Sequence, residues 1–168
     1  MNKEKIPYLL IGGLAAGVLG EPRMTRDIDL ILFIPKSSIP NFLKKLKNND
    51  FDFNMTVTQN DLKLKGAFRI SYEELWVDFI VSSTDFENSA FKRKIKVKLL
   101  GKIVNIPSPE DLILLKLIPG RERDILDVKS IIERQRGKLD KKYLENWAQK
   151  LSDEAEDMRI WNTLKRIF

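Results

Sequence analysis

Apolar positions along this chain change period several times, and each change marks an element. Residues 8–11 (Tyr-Leu-Leu-Ile) are a continuous apolar run, too short for a helix, and read as a buried strand. Gly12 and Gly13 interrupt the run, and the small residues over 14–19 predict one or two helical turns. A polar loop carrying Arg23, Thr25 and Arg26 leads into a second strand, which opens Asp27-Ile28-Asp29-Leu30 and extends to residue 34. Lys36-Ser37-Ser38-Ile39-Pro40 then starts a helix, with Ser37 or Ser38 as cap and Pro40 in the first turn. Phe42, Leu43 and Leu46 form its inner stripe, Lys44, Lys45 and Lys47 its outer face, and Asn48-Asn49-Asp50 its end. Residues 51–58 and 67–71 read as strands about a polar turn at 59–61, and 72–74 as a further turn. Residues 76–81 (Trp-Val-Asp-Phe-Ile-Val) are another strand, and Asp85 and Glu87 fall in a looser polar stretch. Residues 93–100 and 102–106 flank Gly101 as a hairpin that Pro107 closes.

From there the pattern is helical. Ser108 caps a helix with Pro109 in its first position and Asp111 completing a capping box; residues 112–118 are apolar nearly all round, so this helix is buried. Pro119-Gly120 breaks it, and residues 121–135 form the next helix, with Ile125, Val128, Ile131 and Ile132 inward. Leu139, Tyr143, Leu144, Trp147 and Leu151 follow one further stripe, and Ser152 caps a last helix carrying Met158, Trp161, Leu164 and Ile167. Trp147 and Trp161 are read as core residues rather than base-stacking platforms. The pattern therefore predicts an α+β fold (α/β mixed): a mixed β-sheet with flanking helices and a C-terminal helical segment. A strand-rich half, 1–106, and a helical half, 107–168, are expected to pack as one compact unit.

Composition narrows the chemistry. A chain of 168 residues with 43% hydrophobic and 32% charged residues is ordinary for a globular domain. No apolar run approaches the roughly 20 residues that span a bilayer. The start, MNKEKIPYLLIGG, has too short an apolar core for a signal peptide, so a cytoplasmic location is expected. Cysteine and histidine are both absent, which excludes disulfides, thiolate or imidazole metal sites, and Ser-His or Cys-His nucleophiles. Any metal must be a hard cation held by oxygen, such as Mg²⁺ or Mn²⁺. Abundant Lys, Glu and Ile without cysteine favours a thermophilic source.

The net charge of +6 either favours polyanionic partners or only aids solubility. Lys94, Lys96 and Lys98 alternate with Ile95, Val97 and Leu99, which predicts three lysines on one strand face, with Arg93 and Lys102 nearby. Such a face suits an RNA backbone, or guards an exposed sheet edge.

Asp27 and Asp29 share one strand face with Cα atoms roughly 6–7 Å apart, close enough to share divalent cations. The glycine pair at a helix start offers open backbone N–H groups and a positive dipole end, an anion site. A phosphate cradle beside a cation site points to nucleotide chemistry. Asp78 stands alone in an apolar strand. A buried carboxylate there costs several kcal/mol unless it has a partner, a proton or a metal; an edge strand turning Asp78 to water is the alternative. Lys116, in the apolar helix, either snorkels to water or serves a site. Arg121, Arg123, Asp124 and Asp127 read as a solvated charged face unless a site recruits them.

The order Ile11-Gly12-Gly13, a thirteen-residue spacer, then Asp27-Ile28-Asp29-Leu30 resembles the signature of the DNA polymerase β-like nucleotidyltransferase superfamily. With Arg23-x-Thr25-x-Asp27-Ile28-Asp29 it looks most like small prokaryotic nucleotidyltransferases that include the AbiEii-type toxins. The segment from Ser108 through Lys116 to Arg121-x-Arg123-Asp124-x-x-Asp127 is similar to the C-terminal helical segment of that group. The resemblance, over roughly residues 8–128, implies a metal-dependent transfer of a nucleoside monophosphate from an NTP such as ATP to a hydroxyl on RNA, protein or a small molecule. It implies Asp27, Asp29 and Asp78 as the Mg²⁺ or Mn²⁺ ligands and, with Lys116, as the catalytic set. Gly12, Gly13, Arg23, Thr25 and Arg121 would bind the nucleotide, and a toxin role with a separate antitoxin would follow. Two positions depart from the pattern: Gly13 replaces a serine common in relatives, and Ala16-Gly17-Val18 lacks their following arginine, for which Arg23 can substitute. A catalytically inactive nucleotide- or RNA-binding module of the same fold is the alternative.

Overall fold

The computed structural model describes residues 6–168; the first five residues of the strand-rich half lie outside that range. The elements run β1 (Tyr8–Ile11), α1 (Gly12–Leu19), β2 (Asp27–Leu32), α2 (Ile39–Lys47), α3 (Met55–Lys65), β3 (Ala67–Tyr72), β4 (Leu75–Val81), α4 (Asp85–Lys92), β5 (Ile95–Leu99), β6 (Lys102–Ile106), α5 (Pro109–Leu117), α6 (Glu122–Arg134), α7 (Lys141–Glu154) and α8 (Arg159–Ile167). Four strands form a mixed sheet in the order β1-β2-β4-β3, in which β2 and β4 are parallel and the outer pairs antiparallel; β5 and β6 make a separate hairpin. This is the α+β architecture that the alternating periods predict.

The period of two divides the sheet into unlike faces. Leu30, Leu32, Phe68, Ile70, Val77, Phe79 and Val81 point into the main core, which also takes in the apolar stripes of α1, α2 and α5 to α8. On the other face Leu9 and Ile31 pack against Ala90 of α4, with Ile80, Phe91 and Leu115 around them. That smaller apolar floor ends where Asp27, Asp29 and Asp78 begin. A sheet face buried at one end and acidic at the other needs a helix over the first part and an opening over the second, and α4 supplies the cover.

Four sequence readings are corrected. Residues 51–58 are not a strand: Asp52 makes one isolated bridge to Ser71, and α3 then takes over. The Asn54 side chain accepts the Val57 N–H at 3.1 Å, and Gly66, at φ 66°, closes the helix with its N–H on Leu62 O, so the polar turn at 59–61 lies inside α3. Asp85 and Glu87 belong to α4, whose start is a capping box between Thr84 and Glu87. The first hairpin strand begins at Ile95; Lys94 instead folds back, its Nζ 3.2 Å from Phe91 O and 3.9 Å from the Phe91 ring centroid. Finally, Ser152 lies within α7, and α8 starts at Arg159, although the Ser152 hydroxyl does accept the Trp161 N–H at 3.1 Å.

Candidate active site

The acidic end of the sheet opens into a cleft of about 650 Å³ between the sheet, the start of α1 and the α5-α6 segment. Its floor is set by strand register. Asp29 lies opposite Asp78 across the parallel pair of β2 and β4, and Asp27 lies opposite Trp76. Residues paired in a parallel ladder project to the same side, so Asp27, Asp29 and Asp78 share the cleft face. β4 is an interior strand, which disposes of the edge-strand alternative for Asp78.

The turn from β1 into α1 is built around Asp29. Gly12 has φ +68°, a left-handed conformation, and a Cβ there would overlap the Asp29 carboxylate. Gly13 lies under the Arg23 guanidinium: a Cβ on it would come within 3.0 Å of Arg23 Nη2. The space that a serine side chain would need at position 13 is therefore filled by arginine.

Arg23 is fixed from the helical half. It donates to Asp127 through Nε at 2.7 Å and Nη2 at 2.9 Å. Lys116, buried on α5, donates to Asp124 at 2.9 Å and pairs with Asp127 at 2.8 Å. Asp124 thus lines the cleft and Asp127 stands buried behind Arg23 and Lys116, so neither belongs to a solvated face, and Lys116 does not snorkel. The second oxygen of Asp124 is buried without a hydrogen-bond partner among the described atoms. Thr25 accepts the Asp27 N–H at 3.3 Å, and Arg121 and Arg123 line the rim beside α6. Lys94, Lys96 and Lys98 do not line the cleft.

Electrostatics follow from this crowding. Burial and then the neighbouring Asp78 push the Asp29 carboxyl above its ordinary range. Burial alone would also raise Asp127, but hydrogen bonds from Arg23 and Lys116 outweigh it and hold that carboxyl below its ordinary value.

One participant escaped the sequence reading. Arg69 on β3 lies opposite Asp78 and donates to it through Nε at 2.7 Å and Nη2 at 2.6 Å, with Nη2 also 4.0 Å from Asp27. Its signal was the turn: Tyr72 pairs with Leu75 across Glu73 and Glu74, and counting three residues back along each strand brings Arg69 to Asp78. Three carboxylates with only oxygen donors suit a hard divalent cation, and the missing side chain at Gly12 leaves Asp29 room to reach it. As the side chains stand, no three carboxylates among the described residues are arranged to hold one ion; the Arg69 fork takes both oxygens of Asp78. The donor chemistry suits such a cation, and gathering the three carboxylates on one ion requires their side chains as well as Arg69 to move.

A family profile described as "Nucleotidyltransferase of unknown function (DUF6036)" matches residues 1–168. No curated protein matches the sequence. Among solved structures, the lincomycin-bound lincosamide antibiotic adenylyltransferase LnuA aligns at TM-score 0.54 and 17% identity, over 77% of this chain and 88% of that one. ANT(2")-Ia in complex with adenylyl-2"-tobramycin aligns at TM-score 0.54 and 12% identity, over 99% and 92%. An antigenic nucleotidyltransferase-like protein from Paracoccidioides brasiliensis aligns at TM-score 0.50 and 18% identity, over 98% and 86%. At these identities the likeness is one of fold. Among the described residues no helix is long and apolar enough to cross a membrane.

Proposed function

Because the chain belongs to the nucleotidyltransferase family of unknown function DUF6036, we propose that it transfers a nucleoside monophosphate from an NTP to a hydroxyl acceptor, with a divalent cation, Mg²⁺ or Mn²⁺. The observation that carries this reading is the register of Asp29 with Asp78, beside Asp27 and the Gly12-Gly13 helix start, on one cleft. Asp27, Asp29 and Asp78 would hold the cation, which when bound would neutralise charge on the triphosphate and lower the pKa of the acceptor hydroxyl. The first N–H groups of α1 donate to phosphate oxygens, since neither glycine adds a side chain of its own over them. Arg23, over Gly13, takes the place of a serine hydroxyl at the β- and γ-phosphates. Lys116 lends fixed positive charge behind it, and Arg121 draws the phosphate tail to the rim. Thr25 steadies the Asp27 backbone. The acceptor oxygen attacks the α-phosphorus in line, the bond to the β-phosphate oxygen breaks, and pyrophosphate leaves with the electron pair. The acceptor's proton passes to Asp78.

The neighbours that carry lincomycin and adenylyl-2"-tobramycin favour a small polyhydroxy acceptor. A cellular RNA end or a protein hydroxyl would make the same transfer toxic and call for an antitoxin. The test is pyrophosphate release with each NTP and Mg²⁺ or Mn²⁺, together with transfer of α-³²P label to the protein itself, bulk RNA, or a panel of aminoglycosides and lincosamides. Label on one acceptor class, lost in Asp27→Asn, supports the proposal and names the class. Nucleotide binding without pyrophosphate release from any NTP would leave the non-catalytic module instead.

A further inference from the structure

On the acidic face a side chain of the protein itself occupies Asp78; what this means rests on the metal-dependent transfer proposed above. Arg69 forks onto both oxygens of Asp78, at 2.7 and 2.6 Å, and leans to within 4.0 Å of Asp27. A divalent ion needs the same lone pairs, and a guanidinium beside it repels it. Yet the Arg69 side chain is 53% exposed, and ion pairs so exposed are weak. In the same position it also lies near an aromatic ring. Its Cζ stands 5.8 Å from the ring centroid of Trp76, which lies on the same sheet face two residues before Asp78 and is 48% exposed.

We propose that Arg69 is a resident counter-cation: it denies Asp78 to a free divalent ion, and yields it when the ion arrives chelated by a triphosphate, withdrawing onto Trp76. Metal and nucleotide then enter together, and the bare protein is a poor metal binder by construction. Arg69 is in this sense a positioning residue, because it acts through Asp78.

The full chain without nucleotide is titrated with Mn²⁺, and free Mn²⁺ is followed by electron paramagnetic resonance. Arg69→Gln is expected to bind Mn²⁺ about tenfold more tightly than the parent, and Arg69→Lys, which keeps the charge but not the fork, to fall between them. Equal affinity in the parent and Arg69→Gln overturns the proposal; should Arg69→Gln not fold, equal affinity in Arg69→Lys does so. Asp78→Asn added to Arg69→Gln separates the two layers: if it leaves the Mn²⁺ binding of Arg69→Gln intact, the carboxylate reading of the site is wrong, whatever Arg69 does. Mg²⁺ with α,β-methylene-ATP should change tryptophan fluorescence in the parent and not in Trp76→Phe. An identical change in Trp76→Phe removes Trp76 as the seat.

Discussion

Asp29 is buried at the end of the sheet with Asp78 as its neighbour, and both facts raise its carboxyl above the ordinary value of 3.8. Between that value and the raised one the folded chain keeps a proton that the unfolded chain has released. Stability therefore falls as pH rises through this window, and the deficit persists at neutral pH. Asp29→Asn removes the charge and keeps the shape. Without metal it should melt a few degrees above the parent at pH 7, with the gain vanishing below about pH 4, while transfer activity is lost. Scanning fluorimetry across pH checks this; equal melting temperatures at pH 7 would mean that the carboxylates do not repel. Gly12 is the complementary case, since its positive φ and the Asp29 carboxylate both forbid a side chain. Gly12→Ala should destabilise the chain by about 1–3 kcal/mol in urea titration and weaken nucleotide binding; a neutral substitution would show that the turn can open. These residues were legible in the sequence because each is part of a local pattern: alternation places Asp27 and Asp29 together, and a glycine pair between strand and helix marks a bare turn. Arg69 was harder, because its meaning depends on a pairing register rather than on its neighbours in the chain.

Among the elements, α6 is the one that joins the two halves of the cleft. Arg134 donates to Gly20 O at 2.6 Å, Gln135 to Leu19 O at 3.0 Å, and Asp127 accepts the Arg23 fork. The loop from α1 to β2 is thus held at its base and near its middle by one helix. Asp127, held below its ordinary 3.8 by Arg23 and Lys116 against the opposing effect of burial, contributes stability that is present above that value and is lost as pH falls through the lowered one. A double-mutant cycle of Arg23→Gln and Asp127→Asn at pH 7 should give a coupling of about 1–3 kcal/mol that shrinks as pH falls below 3.8. Additive effects at pH 7 would mean that the pair contributes nothing. Two helices were missed for a physical reason. Thr56, Val57 and Thr58 are β-branched and read as strand, but Asn54 and Gly66 cap the segment at both ends, and capping prevailed over propensity. In α4 the apolar positions are only Phe86, Ala90 and Phe91, which serve two different faces and show no clear period, and only the pair of Thr84 and Glu87 announced a helix.

For the whole molecule, the question is whether the halves 1–106 and 107–168 are separable. Polar links between them run from Arg93 to Glu110 at 3.0 Å and Asp111 at 3.2 Å, from Arg23 to Asp127 at 2.7 Å, and between the Ser89 and Tyr143 hydroxyls at 3.3 Å. The apolar links run through the core. Leu112, Ile113 and Leu114 of α5 are wholly buried, in the same cluster as Leu30, Phe79 and Ile106 from the strand-rich half and Val128, Leu144 and Ile160 from the helical half. Cutting after residue 106 would expose the main-core face of the sheet along α5. Each large aliphatic side chain so exposed costs about 1.5–3 kcal/mol, and four such side chains match the 5–15 kcal/mol that usually separates folded from unfolded domains. We therefore propose one cooperative unit. Calorimetry of the intact chain should give a single transition whose calorimetric and van't Hoff enthalpies agree, and the 1–106 fragment should show no cooperative transition. A fragment that melts cooperatively and still binds nucleotide would instead make the helical half an appendage, and the pairs of Arg23 with Asp127 and of Lys116 with Asp124 an addition to a site complete without them.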